Sequence, residues 1–410
     1  MPGDVENTVA AVWRIEAARV IATLITFVRD VDLAEDLAQE AVVDALRQWP
    51  QQGIPQNPGA WLTAVAKRKA IDAWRRRDAL AERYAAMAEH LDETVDDELE
   101  PIGDETLRLV FVACHPVLSR ESQVALTLRL VGGLSTDELA RLFLVPVPTM
   151  QQRIVRAKKS LSAARVEFEV PPPHEWPARI ASVLSVVYLI FTEGYAATSG
   201  DSWMRRDLAA EALRLGRRLV GLLPRESEAH GLLALMELQS SRFGARIDAN
   251  GNPVLLADQD RARWDHGQIA RGRASLARAD ALASRKQYAL QAAIAEQHAI
   301  AASVETTDWQ HIVLLYELLG RVAPSPVVDL NRAVAVSMAG RPEAALAIVD
   351  ALATDSRWRA SPLLPSVRGE ILLRLGRAVE GRIELLRAAE LTANERQKQA
   401  LLHRAAHSAP

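Results

Sequence analysis

The sequence predicts an all-α protein. Apolar residues recur at helical spacing, the alternation of β-branched residues that is typical of strands is nearly absent, and aromatic residues make up only 5% of the chain. At 410 residues the chain is too long for one compact core. Two or three helical domains are therefore expected.

The composition limits which classes of protein are compatible with this sequence. A net charge of −3 excludes a uniformly basic DNA-coating protein, so any nucleic-acid site must be local. The single cysteine, Cys114, excludes a disulfide framework and a CxxC metal site, and it fits a reducing cytoplasm. No metal or cofactor is predicted. An acidic N-terminus and an apolar run at 180–191 that is too short to span a bilayer predict no membrane partner.

The first segment, residues 1–84, is predicted to be a domain of three or four helices. One helix repeats Leu33, Leu37, Ala41 and Leu46 at helical spacing. This pattern leaves a polar group largely on the other side, namely Glu35, Asp36, Gln39 and Glu40. The Gly- and Pro-rich stretch that starts at Pro50 predicts a loop before the next helix.

Residues 85–105 are predicted to form an acidic linker. From residue 86 to 105 there are nine acidic residues and no Lys or Arg, a composition that favours a solvated, flexible segment. A second helical domain is predicted at 106–168.

The second domain contains a predicted helix-turn-helix. Ser135 and Glu138 have the spacing of a capping box, which predicts a helix over 136–143. The sequence LVPV then interrupts the chain, and Pro148 suits the start of a second helix. A short helix, a turn and a longer basic helix are typical of this DNA-binding motif.

The basic helix supplies the candidate DNA contacts. Its first turns hold the candidates for base edges, and the positions further along suit phosphates. These two sets are Thr149, Gln151, Gln152 and Arg153, then Arg156, Lys158 and Lys159. The alternative is a solvated amphipathic helix, which a basic helix alone would favour.

A Pro-rich spacer at 169–177 precedes a helical region at 178–410. Near its end Arg332 and Arg368, and likewise Gly340 and Gly376, are separated by a constant 36 residues. This period predicts stacked helical hairpins that resemble tetratricopeptide (TPR) repeats.

Two polar signatures in this region, at 191–203 and 253–265, and the pair Cys114–His115 near the helix-turn-helix contain residue types that catalytic sites use. An enzyme would use Glu193, Asp258 and Asp260 as acid and base groups beside Tyr195 and Arg261. Loops or caps that hold the helices are favoured instead, because no nucleophile, metal cluster or phosphate loop accompanies them. Cys114 and the adjacent His115 are expected to pack rather than react.

Three motifs in order carry a resemblance to a known family. They are AEDLAQEAVVDAL, AWLTAVAKRKAIDAWRRR and STDELARLFLVPVPTMQQRIVRAKKSL. Together they resemble the extracytoplasmic-function (ECF) sigma factors, a group of the sigma-70 family of bacterial RNA polymerase subunits. The resemblance implies that the chain is not an enzyme. It also implies that the two N-terminal domains bind promoter DNA and core RNA polymerase, at the clamp helices of the largest subunit and at the flap region.

The resemblance also assigns residues. Asp36, Gln39 and Glu40 match the helix that binds the clamp helices. The loop at 51–58 and the helix from Trp61 match the part that captures a base of the promoter minus-ten element, with Trp61 itself expected in the core. The cations available for that strand are Lys67, Arg68, Lys69, Arg75, Arg76 and Arg77.

This sequence departs from the family pattern at two positions. Arg68 stands at a frequent Asn, and Gln152 replaces a Ser, so the family's base preferences are not carried over.

The C-terminal region looks like the extension of one sigma-factor branch. It is expected to regulate or support activity through a protein partner or an intramolecular contact. The alternatives are a stand-alone helix-turn-helix regulator with a protein-interaction solenoid, and an enzyme in the C-terminal half.

Overall fold

The protein is described by a computed structural model. It covers residues 2–76, 104–143, 145–164, 166, 168, 171–172, 174–195, 206–248, 254, 256–355, 358–359, 361–392 and 395–407. These residues hold eighteen α-helices and no β-strand, so the predicted all-α class is confirmed. The chain forms two compact units, Met1–Leu189 and Ile190–Pro410, here called the N-terminal and C-terminal units.

The N-terminal unit contains seven complete helices and the start of an eighth. They are α1 Pro2–Val28, α2 Val31–Gln52, α3 Pro58–Arg76, α4 Asp104–Ala113, α5 Arg120–Leu126, α6 Thr136–Leu142, α7 Val147–Ala163 and α8 Trp176–Tyr195. Helix α1 packs against α2, α3 and α4, so it is central to the unit. Most of the predicted acidic linker lies outside the described residues, but Asp104 and Glu105 already belong to α4.

Helix α2 has clear signals at both ends. The Asp30 side chain accepts a hydrogen bond from the Leu33 backbone N–H at 2.9 Å and caps the N-terminus. Gly53 ends the helix with a φ of 83°, which glycine adopts without strain. Pro50 lies inside the last turn, so the loop predicted from that residue begins only at Gly53. Helix α3 follows with Asn57 accepting from the Ala60 N–H at 3.1 Å.

The predicted capping box is confirmed in the structure. The Glu138 N–H donates to Ser135 Oγ at 3.1 Å, and the Ser135 N–H donates to Glu138 Oε2 at 2.7 Å. Helix α6 begins directly after Ser135, and Pro148 occupies the first turn of α7. The α6 and α7 helices are therefore the two arms of a helix-turn-helix.

Helix α8 has twenty residues and crosses the boundary between the two units. It begins at Trp176, within the spacer predicted to end at 177. Among the described residues it is the one helix long and apolar enough to cross a membrane, which corrects the expectation of an apolar run too short to do so. Half of its apolar window is buried inside the protein, as in a core helix of a globular fold.

The C-terminal unit continues with ten further helices in the described residues. They are α9 Arg206–Leu222, α10 Ser227–Ser240, α11 His266–Leu282, α12 Gln287–Ile300, α13 Trp309–Val322, α14 Pro326–Met338, α15 Pro342–Leu352, α16 Leu363–Arg374, α17 Ala378–Leu391 and α18 Glu395–His407. Most of these helices pack against their neighbours along the chain, as in a helical array.

The 36-residue period corresponds to two helical hairpins, α14–α15 and α16–α17. Gly340 and Gly376 have φ values of 82° and 74° and end the first helix of each hairpin. The Arg341 N–H donates to Val336 O at 3.2 Å, and the Arg377 N–H donates to Leu372 O at 2.9 Å. Both turns are thus closed by the same backbone bond across a left-handed glycine. The likeness to TPR repeats stays a prediction.

Candidate nucleic-acid interface

Helix α7 separates a buried face from an exposed face. Met150, Ile154, Ala157 and Leu161 recur at helical spacing and are buried in the N-terminal unit. The opposite side leaves most of the predicted DNA-contact residues in solvent, namely Thr149, Gln151, Gln152, Arg156 and Lys159. This helix therefore has the exposed polar surface that insertion into a major groove requires.

One apolar residue on the exposed face of this helix is not among the predicted DNA contacts. Val155 is 50% exposed and lies between Gln151 and Lys159 on the helix surface. An apolar side chain at such a position can contact the methyl group of thymine. The helical spacing of the sequence could have indicated that Val155 is exposed, because it falls outside the apolar stripe that starts at Met150.

Arg153, a predicted base reader, lies at one edge of the exposed face. Its guanidinium is 3.3 Å from Glu121 Oε2 of helix α5. The Glu121 side chain is 74% exposed, so water and salt weaken this ion pair. Arg153 can therefore exchange Glu121 for another anion at little cost.

Lys158, a predicted phosphate contact, lies at the other edge and is mostly buried. Its Nζ is 2.7 Å from Asp32 Oδ1 and 2.7 Å from Glu35 Oε2, both on helix α2. Burial disfavours the charged ammonium, but the carboxylates outweigh it and raise the pKa of Lys158. This lysine connects the two predicted N-terminal domains.

Glu35 is the acid at the centre of this contact. It was expected on the exposed polar side of α2, but it is 4% exposed. Arg129 Nε donates to Glu35 Oε1 at 2.5 Å and its Nη1 donates to Leu134 O at 2.9 Å. Arg129 lies in a π-helical turn, Thr127–Val131, that continues helix α5. The expectation was wrong because two cations from the second domain compensate the buried charge.

The predicted polymerase-binding residues of α2 lie beside this contact. Asp36 and Glu40 are exposed and Gln39 is partly buried. Burial raises the pKa of Asp36, Lys158 opposes that shift, and Glu35, Asp32 and Glu40 add to it. Asp36 and Glu40 thus present carboxylates to solvent on one stretch of a helix.

Two of the predicted cations of helix α3 are engaged by neighbouring side chains. Lys69 Nζ lies 3.2 Å from Glu40 Oε2 and 2.9 Å from Asp44 Oδ2, and these hydrogen bonds raise its pKa. Lys67 Nζ is 6.0 Å from the centre of the Phe27 ring.

The other predicted cations of α3 are less constrained. Arg68 is exposed, and its Nε donates to Ala64 O at 3.4 Å. The side chains of Arg75 and Arg76, and all of Arg77, lie outside the described residues.

Trp61 packs with the core of the first domain. It is partly buried, and its ring meets that of the buried Trp49 in an edge-to-face arrangement with centroids 5.4 Å apart. Such a pair stabilises the contact between the end of α2 and the start of α3.

Cys114 and His115 occupy structural positions. The Cys114 thiol is buried 3.3 Å from Thr127 Oγ1, and burial raises its pKa to about 12. The His115 Nδ1 accepts from the Val117 N–H at 3.2 Å. A thiol that stays protonated at neutral pH is a poor nucleophile.

The polar signatures of the C-terminal unit also have structural partners. Asp260 accepts from the Ala262 N–H at 3.0 Å and caps a short turn. Asp258 Oδ2 lies 3.7 Å from an Arg404 nitrogen. The Tyr195 hydroxyl accepts a hydrogen bond from Arg242. In the described part of the chain no cluster of three or more His, Cys, Asp or Glu side chains could hold a metal ion.

Three family models match this chain. Sigma-70 region 2 matches residues 13–80, and Sigma-70, region 4 matches residues 108–161. A family of unknown function, DUF6596, matches residues 179–280.

Curated proteins add full-length and partial relatives. An uncharacterized protein of Rhizobium meliloti is 43% identical over 383 residues, which cover 91% of this chain and 89% of that protein. The probable ECF RNA polymerase sigma factor SigI of Mycobacterium tuberculosis is 27% identical over 171 residues, 40% of this chain and 58% of that protein. The ECF RNA polymerase sigma factor SigC of the same species is 29% identical over 160 residues, 39% of this chain and 80% of that protein.

No solved structure is significantly similar. The region 2 match covers most of the α1–α3 bundle, and the region 4 match contains α6 and most of α7, the two helices of the helix-turn-helix. The chain therefore carries a sigma-70 region 2 domain and a sigma-70 region 4 domain, and a region that matches DUF6596 follows them.

Proposed function

We propose that this protein acts as an initiation subunit of bacterial RNA polymerase in the cytoplasm. It binds core polymerase through helix α2 and promoter DNA through helices α3 and α7. The observation that carries the proposal is the exposed face of α7, where polar and basic residues cover one side of a helix whose other side is buried. The resemblance to ECF sigma factors supports the same function.

Polymerase binding is assigned to Asp36 and Glu40, with Gln39 between them. Exposed carboxylates on a rigid helix suit a basic partner surface, here the clamp helices of the largest subunit. Asp36→Arg is expected to lower the amount of core polymerase that co-purifies with the protein. Asp207→Arg makes the same charge change in helix α9 and serves as the matched control. Wild-type co-purification by Asp36→Arg would refute the assignment.

Recognition of the minus-35 element is assigned to the exposed face of α7. Thr149, Gln151 and Gln152 contact base edges, Val155 contacts an apolar base surface, and Arg156 and Lys159 hold phosphates. Arg153 takes part after it exchanges Glu121 for DNA, whereas Lys158 stays paired with the α2 carboxylates and stabilises the position of the helix. Arg156→Ala is expected to weaken transcription from a specific promoter while polymerase binding persists.

Recognition of the minus-ten element is assigned to the loop before α3 and to the cations along that helix. Arg68 is exposed in this region, and Lys67 and Lys69 join it once the strand displaces their present contacts. Arg75, Arg76 and Arg77 continue the same cationic path in sequence. Footprinting of an open complex by permanganate tests this assignment, because Arg68→Ala should reduce strand opening at the minus-ten element.

The C-terminal unit is proposed to regulate or support initiation through a TPR-like array, by a protein partner or an intramolecular contact. In vitro transcription with core polymerase tests this role when the full chain is compared with a form ending at Leu189. Equal activity of both forms would show that the extension is dispensable for initiation. Circular dichroism confirms that the shortened form keeps its helices.

A further inference from the structure

A cavity of about 460 Å³ lies in the C-terminal unit, where the turn at Arg261–Arg263, the start of α11 and the end of α12 meet. Its walls are of two kinds. Arg261, His266 and Arg273 supply polar groups, while Ile269 and Ile300 supply apolar surface. Trp264 contributes both, because its indole ring is apolar and carries one N–H donor. Cavities of this size, apolar with a few polar groups, are typical of small-molecule sites.

The Arg261 guanidinium is held by neutral oxygens. Its Nη1 donates to His298 O and to Ala301 O, both at 2.6 Å, and its Nη2 donates to Thr307 Oγ1 at 3.2 Å. These bonds orient the guanidinium at the C-terminal end of α12 but do not neutralise its charge. Burial lowers the pKa of Arg261, the nearby Arg242 lowers it further, and the exposed Glu305 opposes the shift. An anion in the cavity would raise the pKa of Arg261 again, because it stabilises the charged guanidinium.

The second observation is a local excess of buried donors. Arg242 lies 5.8 Å from the centre of the Trp264 ring, and Arg261 lies 5.1 Å from it. Trp264 is 3% exposed, and its indole Nε1 has no hydrogen-bond partner among the described residues. The same is true of Arg242 Nε. Unsatisfied buried donors are rare in proteins, so Trp264 Nε1 and Arg242 Nε near the Arg261 guanidinium indicate a site that lacks an acceptor.

The remaining polar wall does not remove the positive charge. Arg273 Nε is paired with Glu296 Oε1 at 2.8 Å, and the Arg273 side chain is 56% exposed. Arg261 therefore remains as the wall cation with no ion pair of its own among the described residues, and the exposed Glu305 offsets its charge only in part. The apolar wall at Ile269 and Ile300 is unsuited to a bare, strongly hydrated anion.

We infer that this cavity binds a small organic anion, a carboxylate with an apolar body. The anionic group faces Arg261 and the donors around Trp264, and the apolar body packs against Ile269 and Ile300. The inference concerns the C-terminal unit alone and does not depend on the proposed role in transcription.

Direct binding to the full-length protein tests the inference, with benzoate, octanoate and indole-3-acetate as probes in isothermal titration calorimetry. At least one carboxylate is expected to bind with a Kd of about 1 mM or tighter. Benzamide, the neutral analogue of benzoate, is expected to bind roughly tenfold more weakly if benzoate is the probe that binds. Absence of binding by all three carboxylates would overturn the inference.

Two surface substitutions place the site without disturbing the core. Ile300→Glu puts a negative charge on the apolar wall at a residue that is 52% exposed, and Arg273→Gln leaves the Glu296 carboxylate without the cation that pairs with it. Each is expected to weaken binding by roughly tenfold or more. The controls are Ile383→Glu, at a residue 59% exposed on α17, and Arg278→Gln, on the same helix as Arg273. Both controls should bind like the wild type.

Two further results would contradict the inference. Binding that survives Ile300→Glu would show that the carboxylate sits elsewhere. Inorganic phosphate binding as tightly as the best carboxylate would show that the apolar wall contributes nothing. Because calorimetry reports binding itself, failure here leaves the transcription assays of the full chain unaffected.

Discussion

The Nζ of Lys158 lies 2.7 Å from a carboxylate oxygen of Glu35, so a lysine of the predicted DNA-reading helix compensates a buried acid of the predicted polymerase-binding helix. The two side chains are 10% and 6% exposed. Removing one member of such a pair leaves the other buried charge with one partner fewer, so that Glu35 keeps Arg129 or Lys158 keeps Asp32, and this costs more than removing both. The contact therefore links the stability of region 2 to the side chain of a residue in region 4.

A double-mutant cycle measures this link. Lys158→Met and Glu35→Gln are each expected to destabilise the N-terminal unit by about 3 kcal/mol, and the double variant by less than their sum. The coupling is expected at about 1–3 kcal/mol in urea unfolding. Lys159→Met, one residue further along and exposed, should change stability by less than about 0.5 kcal/mol. Additive effects at positions 35 and 158 would rule out a direct interaction.

The exposed face of α7 predicts a particular salt dependence. Arg156→Ala is expected to weaken the binding of holoenzyme to all promoter sequences and to lower the slope of log affinity against log salt by about 1. Gln152→Ala is expected to change the preference among bases and to leave that slope intact. Ser160→Ala is an uncharged control on the same helix. An unchanged slope in Arg156→Ala would contradict a phosphate contact.

His298 predicts an acid sensitivity of the C-terminal unit. Burial, with Arg242 and Arg261 nearby, lowers the pKa of His298 to about 3. An unfolded histidine binds a proton below about pH 6.5, whereas the folded one does not. Stability therefore falls as the pH drops from about 6.5 toward 3. In urea unfolding, His298→Gln should show a shallower loss over this range, and His311→Gln, at an exposed position, should follow the wild type.

The capping box predicts a local effect on the helix-turn-helix. Ser135→Ala removes the oxygen that accepts from the Glu138 N–H at 3.1 Å. The expected destabilisation of the N-terminal unit is about 1 kcal/mol in urea unfolding. Ser162→Ala, at an exposed position near the end of α7, should have little effect. Equal stability of Ser135→Ala and the wild type would mean that Glu138 alone holds the helix start.

Local signals in the sequence predicted local features correctly. Ser135 and Glu138 placed the start of α6, and the paired Gly340 and Gly376 placed the turns of two hairpins, because each feature depends on residues a few positions apart. Glu35 could not be predicted in the same way. Its burial depends on Arg129 and Lys158, which are distant in sequence and come close only when the two domains pack.

The same distinction between local and long-range features applies to the residues of the candidate site. The helix-turn-helix pattern predicted Gln152 and Arg156 from their positions along the second helix, and both are exposed opposite the buried stripe of α7. It could not identify which cations already have anionic partners. Arg153 meets Glu121 of another helix, and Lys69 meets Glu40 and Asp44. Those contacts follow from how helices approach one another, which no spacing within one helix reports.

Helix α8 determines what a nonsense mutation would do to this gene product. Its first turns stabilise the N-terminal unit through contacts with α4 and the residue that follows it. Arg179 donates to Phe111 O at 3.1 Å, and the Trp176 ring packs on the Phe111 ring. Ser182 donates to Cys114 O at 3.1 Å. A stop codon just after region 4 would delete these residues together with the extension. The product would be a damaged two-region protein rather than a minimal sigma factor, so the extension cannot be lost cleanly at the point where region 4 ends.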